Sequence, residues 1–174
     1  MTIDAFLSPD HVAVGVRVGN KAALLDDLAR RAARARGLDA APVRAAVEKR
    51  EGFGSTGVGN GIALPHARLE TVRRPFGCLV RLRDPVDFDA IDERPVDLVF
   101  LLLLPTDAQG SQLNALACVA RRMRDPEAAS AMRGACDAAA LFATITGTPR
   151  RLRRAGSSAR CRWARARARV LLQR

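Results

Sequence analysis

From His11 to Val18 the chain alternates Val12, Val14, Val16 and Val18 with small or polar residues, the period-two pattern of a half-buried strand. The pattern then changes to a helical period. Leu24, Leu25 and Leu28 share one face of a helix that Asn20 is suited to cap and Gly37 to stop. A second helix is predicted from near Asp39 and Pro42 to the charged EKRE, residues 48–51. After a glycine-rich stretch, IALPH (62–66) predicts a short buried strand that stops at Pro65. FGCLVRL (76–82) predicts another strand, and residues 85–96 a turn-rich excursion with one short strand. VDLVFLLLLP (96–105) is hydrophobic on both faces, as a central strand covered by helices on both sides requires. Helices are predicted over 111–124, from Asp125 and Pro126 onward, and over about 137–145. Strands interleaved with helices define an α/β layered sandwich, and no internal repeat interrupts it.

The length of 174 residues suits one domain with a genuine core. Aromatic residues make up only 4% and tyrosine is absent, so Leu, Val, Ala and Ile must fill that core. A net charge of +11 suggests nucleic acid until its location is considered. Ten arginines and no acid lie from Pro149 onward, which leaves residues 1–148 close to neutral. The chain therefore divides into a domain at 1–148 and an Arg-rich tail at 149–174, expected to be disordered. Through charge and Trp163 the tail is the one segment suited to nucleic acid or anionic lipid. Cys78, Cys118, Cys136 and Cys161 have no metal-ligand spacing and read as reduced structural thiols. The longest apolar run, residues 98–104, is far shorter than the roughly 20 residues of a membrane span, and no export signal opens the chain. A cytoplasmic protein without metal or cofactor is expected.

The chemistry concentrates in GFGSTGVGNGIALPHARLE (52–70), where five glycines precede one of the chain's two histidines. GFGSTG matches the dinucleotide-binding pattern GxGxxG, but that pattern works between a strand and a helix. Here a helix precedes and a strand follows, so the match is rejected. What remains is a loop whose backbone N–H groups are free to turn toward an anion, with Ser55, Thr56, Asn60 and Gly61 as further contacts and His66 beyond. A neutral imidazole there is suited to accept a phosphoryl group. On these residues alone, His66 reads more readily as the filler of a polar gap at a strand end. Likewise Arg50 reads as a solvated helix-end charge, and Ser55 and Thr56 as loop-shaping hydroxyls. His11 matches no functional pattern.

The longer string EKREGFGSTGVGNGIALPHARLE, followed by RLRDPVDFDAIDERPVDLVFLLLLP (81–105), resembles the fructose/mannitol-type IIA domains of the bacterial phosphoenolpyruvate-dependent phosphotransferase system, above all their nitrogen-regulatory branch. The resemblance covers residues 3 to 147. It implies a single α/β domain with a mixed, mostly parallel sheet between helical layers. It further implies that His66 accepts phosphoryl from a histidine-phosphocarrier protein of the HPr kind, with Arg50 stabilising the phosphate. Downstream partners would be regulatory target proteins or, in a transport component, the cysteine of a IIB domain. One departure stands out. The family's second histidine, after the central strand, is replaced by Gln112, whose amide donates a hydrogen bond but carries no charge. A phosphorylation-silent binding protein therefore stays open as an alternative.

Overall fold

The strand β6 (Val96–Pro105) is the axis on which the rest is assembled. The computed structural model describes residues 2–106 and 111–147, the first three residues of the second segment by backbone alone. The tail expected from residue 149 lies outside these residues. After a short 3-10 turn at Ile3–Ala5, the chain forms β1 (Leu7–Val16), α1 (Lys21–Arg36) and α2 (Ala40–Glu51). Next come β2 (Gly57–Gly59), β3 (Ile62–Ala63), β4 (His66–Leu69) and β5 (Phe76–Val86). After β6 follow α3 (Ser111–Arg124), α4 (Pro126–Gly134) and α5 (Ala138–Thr146). The sheet order is β1-β5-β6-β3-β2, with β4 also paired to β6. β5 runs antiparallel to β6, while β3 and β4 lie end to end along its other side, both parallel to it. β1 is parallel to β5, and β2 antiparallel to β3, which makes the sheet mixed with parallel pairings in the majority.

Side-chain alternation along β6 explains the two helical layers. Val99, Leu101 and Leu103 join Leu24, Leu28, Val43 and Val47 of α1 and α2 in one core. Leu98, Phe100, Leu102 and Leu104 face the opposite side, with Val119, Met123, Met132 and Leu141 of α3, α4 and α5. From Leu98 to Leu104 the strand is buried on both faces, which is why that stretch is a continuous apolar run.

The local signals that set element ends act as their chemistry dictates. Asn20 accepts the N–H of Ala23 at 2.8 Å, and Gly37 closes α1 in the left-handed region at φ 65°. Asp125 accepts the N–H groups of Glu127 and Ala128 ahead of Pro126. Three expectations need correction. β1 begins at Leu7, earlier than the alternation suggested, because an irregular register between Leu7 and Val12 breaks the period there. No separate strand forms between Val86 and Val96, where Asp89 and Glu93 adopt positive φ in turns. The strand expected to stop at Pro65 instead pauses there and resumes at His66.

Candidate functional site

Pro65 lacks an N–H and so interrupts the ladder along β6, yet its carbonyl still accepts the N–H of Leu102 at 3.0 Å. The pause frees the Leu64 carbonyl, which lies 2.9 Å from Nδ1 of His66. A carbonyl only accepts, so Nδ1 carries the proton and Nε2 presents its lone pair. That lone pair accepts Nε–H of Arg50 at 3.0 Å, while Nη1 of the same guanidinium donates to the Gly54 carbonyl at 3.1 Å. Sixteen positions apart in sequence, the two residues meet because the end of α2 packs beside β4.

Burial lowers the His66 pKa from the ordinary 6.5, and Arg50 and Arg68 push the same way. The Leu64 carbonyl and the Glu51 charge pull against them without reversing the sign. The imidazole is therefore neutral at neutral pH, the form that has a nucleophilic lone pair. This direction fixes a linkage: the unfolded chain takes the proton more readily than the folded one. Stability from this group is complete above pH 6.5 and declines as pH falls through the folded value. NMR titration of the His66 ring is expected to give a midpoint below 6.5. A midpoint at or above it contradicts the enclosed, arginine-faced ring.

The other residues singled out in the sequence divide into two places. Ser55 Oγ donates to the Phe88 carbonyl at 2.7 Å and accepts the Gly57 N–H. The Thr56 hydroxyl is buried and donates to Glu51 at 2.6 Å. Both hydroxyls are thus committed to shaping the loop beside Arg50. Asn60 and Gly61 are not brought to His66. Asn60 N–H binds Asp92, its carbonyl accepts from Arg133, and Gly61 receives the N–H groups of Asp97 and Leu98. His66 pairs with Leu102, and the stretch of β6 from Asp97 to Leu102 spans about 16 Å at the usual strand rise. Gln112 lies in the first turn of α3, and its side chain is outside the described residues.

Two residues that sequence reasoning passed over join the site's support. Glu51 belongs to the charged EKRE end of α2 but is buried, and it binds Lys21 at 2.9 Å. Lys21 is one of only two lysines in an arginine-rich chain. A compact ammonium with three rotatable donors suits its three oxygen partners, Glu51, Asp89 and the Phe88 carbonyl, better than a planar fork does. That exception to the composition was the available signal.

His11 is remote in role: its ring packs at a tilt against Phe76, centroids 4.7 Å apart, and its Nδ1 is buried without a partner. Burial pushes the Cys78 thiol up to about 12, which makes it unreactive. Among the described residues, no group of three His, Cys, Asp or Glu is placed to hold a metal ion, and no helix is long and apolar enough to cross a membrane.

An α/β sheet with a neutral, arginine-held histidine at the start of an interrupted strand is the arrangement to set beside known proteins. The family model of the phosphoenolpyruvate-dependent sugar phosphotransferase system, EIIA 2, matches residues 5–147. The nitrogen regulatory protein of Bradyrhizobium diazoefficiens is 38% identical over 149 residues, covering 86% of this chain and 97% of that protein. The nitrogen regulatory protein of Pseudomonas aeruginosa is 37% identical over 82% of this chain and 94% of its own. Among solved structures, nitrogen regulatory protein IIA-Ntr from Neisseria meningitidis superposes with a TM-score of 0.79 at 33% identity, covering 83% of this chain and 99% of that one. IIA mannitol from Escherichia coli shares the fold, with a TM-score of 0.67 at 13% identity over 79% of this chain and 97% of its own. The chain belongs to the EIIA 2 family of the phosphoenolpyruvate-dependent sugar phosphotransferase system, and the relatives it resembles over nearly their whole length carry the name nitrogen regulatory protein.

Proposed function

We propose that the protein is a regulatory phosphocarrier in which Nε2 of His66 takes a phosphoryl group from the phosphohistidine of a donor protein. The observation that supports this most strongly is the Nδ1–H to Leu64 hydrogen bond, which leaves Nε2 as the nucleophilic atom. In the transfer, the Nε2 lone pair forms a bond to phosphorus. The donor's N–P bond breaks, and its electron pair returns to the donor imidazole. No proton needs to move: His66 keeps Nδ1–H, and the positive charge that forms on its ring lies against the Leu64 carbonyl. Arg50 gives up its contact with Nε2 and turns its guanidinium to the phosphoryl oxygens, in the geometry that suits bidentate binding. The loop from Gly52 to Thr56 holds Arg50, with Ser55 and Thr56 acting through loop shape. The resemblance gives Gln112, on α3, the part of a neutral hydrogen-bond donor to the phosphate. Asn60 and Gly61 serve the hairpin and have no part in phosphate binding.

The nearly full-length likeness to nitrogen regulatory proteins supports signalling through protein partners over delivery to a IIB cysteine. Incubation with phosphoenolpyruvate, the general enzyme I and its histidine-phosphocarrier protein is expected to add one acid-labile phosphoryl group to the full chain. His66→Ala is expected to accept none. Labelling that survives in this variant assigns the acceptor elsewhere.

A further inference from the structure

Glu51 ends α2 with its side chain only 6% exposed, in a place where a helix-end carboxylate would ordinarily reach water. Its oxygens accept the Thr56 N–H at 3.0 and 3.1 Å and the Thr56 hydroxyl at 2.6 Å, and Lys21 Nζ lies 2.9 Å away. Lys21 is itself held from three sides. It donates to the Phe88 carbonyl at 3.2 Å, pairs with Asp89 at 2.9 Å and sits 4.6 Å above the Phe88 ring. A buried ion pair adds little net stability, since desolvation offsets the attraction, so its retention points to what it holds in place.

What it holds is the loop that carries Arg50's second contact. Glu51 and Thr56 tie together the two ends of residues 52–55. Within that span Gly54 sits at φ 140°, and its carbonyl receives Nη1 of Arg50. Arg50 directly precedes Glu51, so one carboxylate fixes both the root of the arginine and the carbonyl against which its tip rests. Ser55 adds a strap to the Phe88 carbonyl, the same oxygen that Lys21 binds.

We infer that Glu51, locked by Lys21, is a positioning residue: it clamps the 52–56 loop so that the Arg50 guanidinium is aimed at Nε2 of His66. This rests on the phosphocarrier reading for its rate consequence, but its geometric consequence stands apart from it. The charged groups that act on the His66 ring are Arg50 and Arg68, which lower its pKa, and Glu51, which raises it.

The test uses the full chain with Glu51→Gln, Thr56→Val and Thr56→Ser. Three quantities are read: the rate of transfer from the phosphorylated histidine carrier, the NMR titration of His66, and the NMR signature of the Arg50 Nε–H hydrogen bond. Glu51→Gln and Thr56→Val are expected to slow transfer about tenfold or more, the scale set by a reacting group held loosely. Thr56→Ser keeps the hydroxyl and is expected to stay within about twofold of the parent. In Thr56→Val, which removes no charge, the released Arg50 no longer bears on the ring, and the His66 midpoint should move up toward 6.5. Unchanged rates in both slow variants, or an unchanged His66 midpoint in Thr56→Val, overturn the inference. Should Glu51→Gln fail to fold, equal rates for Thr56→Val and Thr56→Ser overturn it. If the parent chain accepts no phosphoryl group, the phosphocarrier reading fails. The Arg50 signal then decides the clamp: lost in Thr56→Val, it supports the inference, and retained, it overturns it.

Discussion

Arg50→Met slows phosphoryl acceptance by His66 by about a hundredfold to a thousandfold, the usual cost of removing one preorganised donor from a site of developing charge. The expectation follows from the fork the guanidinium makes. Nε is already on the reacting nitrogen and Nη1 on the Gly54 carbonyl, so a charged planar group stands ready where an incoming phosphoryl must arrive. The phosphoryl oxygens then replace His66 as its acceptors without a change in which groups surround the ring. Arg50→Lys recovers only part of the rate, because an ammonium on a flexible stem reproduces the charge but not the two-pronged geometry. A second readout separates this account from general damage. Arg50 is one of the charges that lower the His66 pKa, so the methionine variant should titrate higher than the parent, in the same direction as Thr56→Val. Single-turnover transfer measured by quenched flow, with the NMR titration beside it, checks both. A methionine variant that transfers at the parental rate removes Arg50 from the chemistry.

Phe100→Ala destabilises the fold by about 3–5 kcal/mol, the range for deleting a large buried ring. Phe100 is fully enclosed in the middle of β6, meets Phe6 edge-on with centroids 6.3 Å apart, and lies close above Gly77 of β5. That glycine is where it is because a Cβ would come within 2.7 Å of the Phe100 ring. Such a tailored contact leaves a cavity when one side is removed, since β1, β5 and β6 are fixed by their own ladders and collapse poorly into it. Denaturant titration measures the loss. A cost under about 1 kcal/mol would mean that the layer between the sheet and α3, α4 and α5 is far less tightly packed than the structure shows.

The layers were legible because their causes are local. The apolar run 96–105, the Asn20 cap, the Gly37 stop and the Asp125-Pro126 start each act through a few adjacent residues, and each is found in place. The family string supplied His66 and Arg50, and their contact gives physical content to that resemblance. Other features were hidden because they depend on distant pairing. Whether IALPH ends at Pro65 or resumes at His66 is decided by β6, which offers a free edge beyond Leu102 for His66–Leu69 to join. Asn60 and Gly61 looked like phosphate contacts through their closeness to His66 in sequence, yet a hairpin and a strand's length carry them to the other end of β6. Glu51 was invisible for the opposite reason. In EKRE every residue looks solvated, and only the approach of α1 and the 87–89 loop buries one of them.

The resemblance puts Gln112 where the family carries a second histidine, and a glutamine amide does not titrate. With no second imidazole at that position, the pH dependence of acceptance should follow His66 as a single titration below 6.5.

The most direct measurement is heteronuclear NMR of the nitrogen-labelled full chain after exposure to phosphoenolpyruvate, enzyme I and the histidine carrier. The account predicts phosphorus coupled to Nε2 of His66, with Nδ1 still protonated and bound to the Leu64 carbonyl. Phosphorus on Nδ1, on another residue, or nowhere in the chain contradicts it.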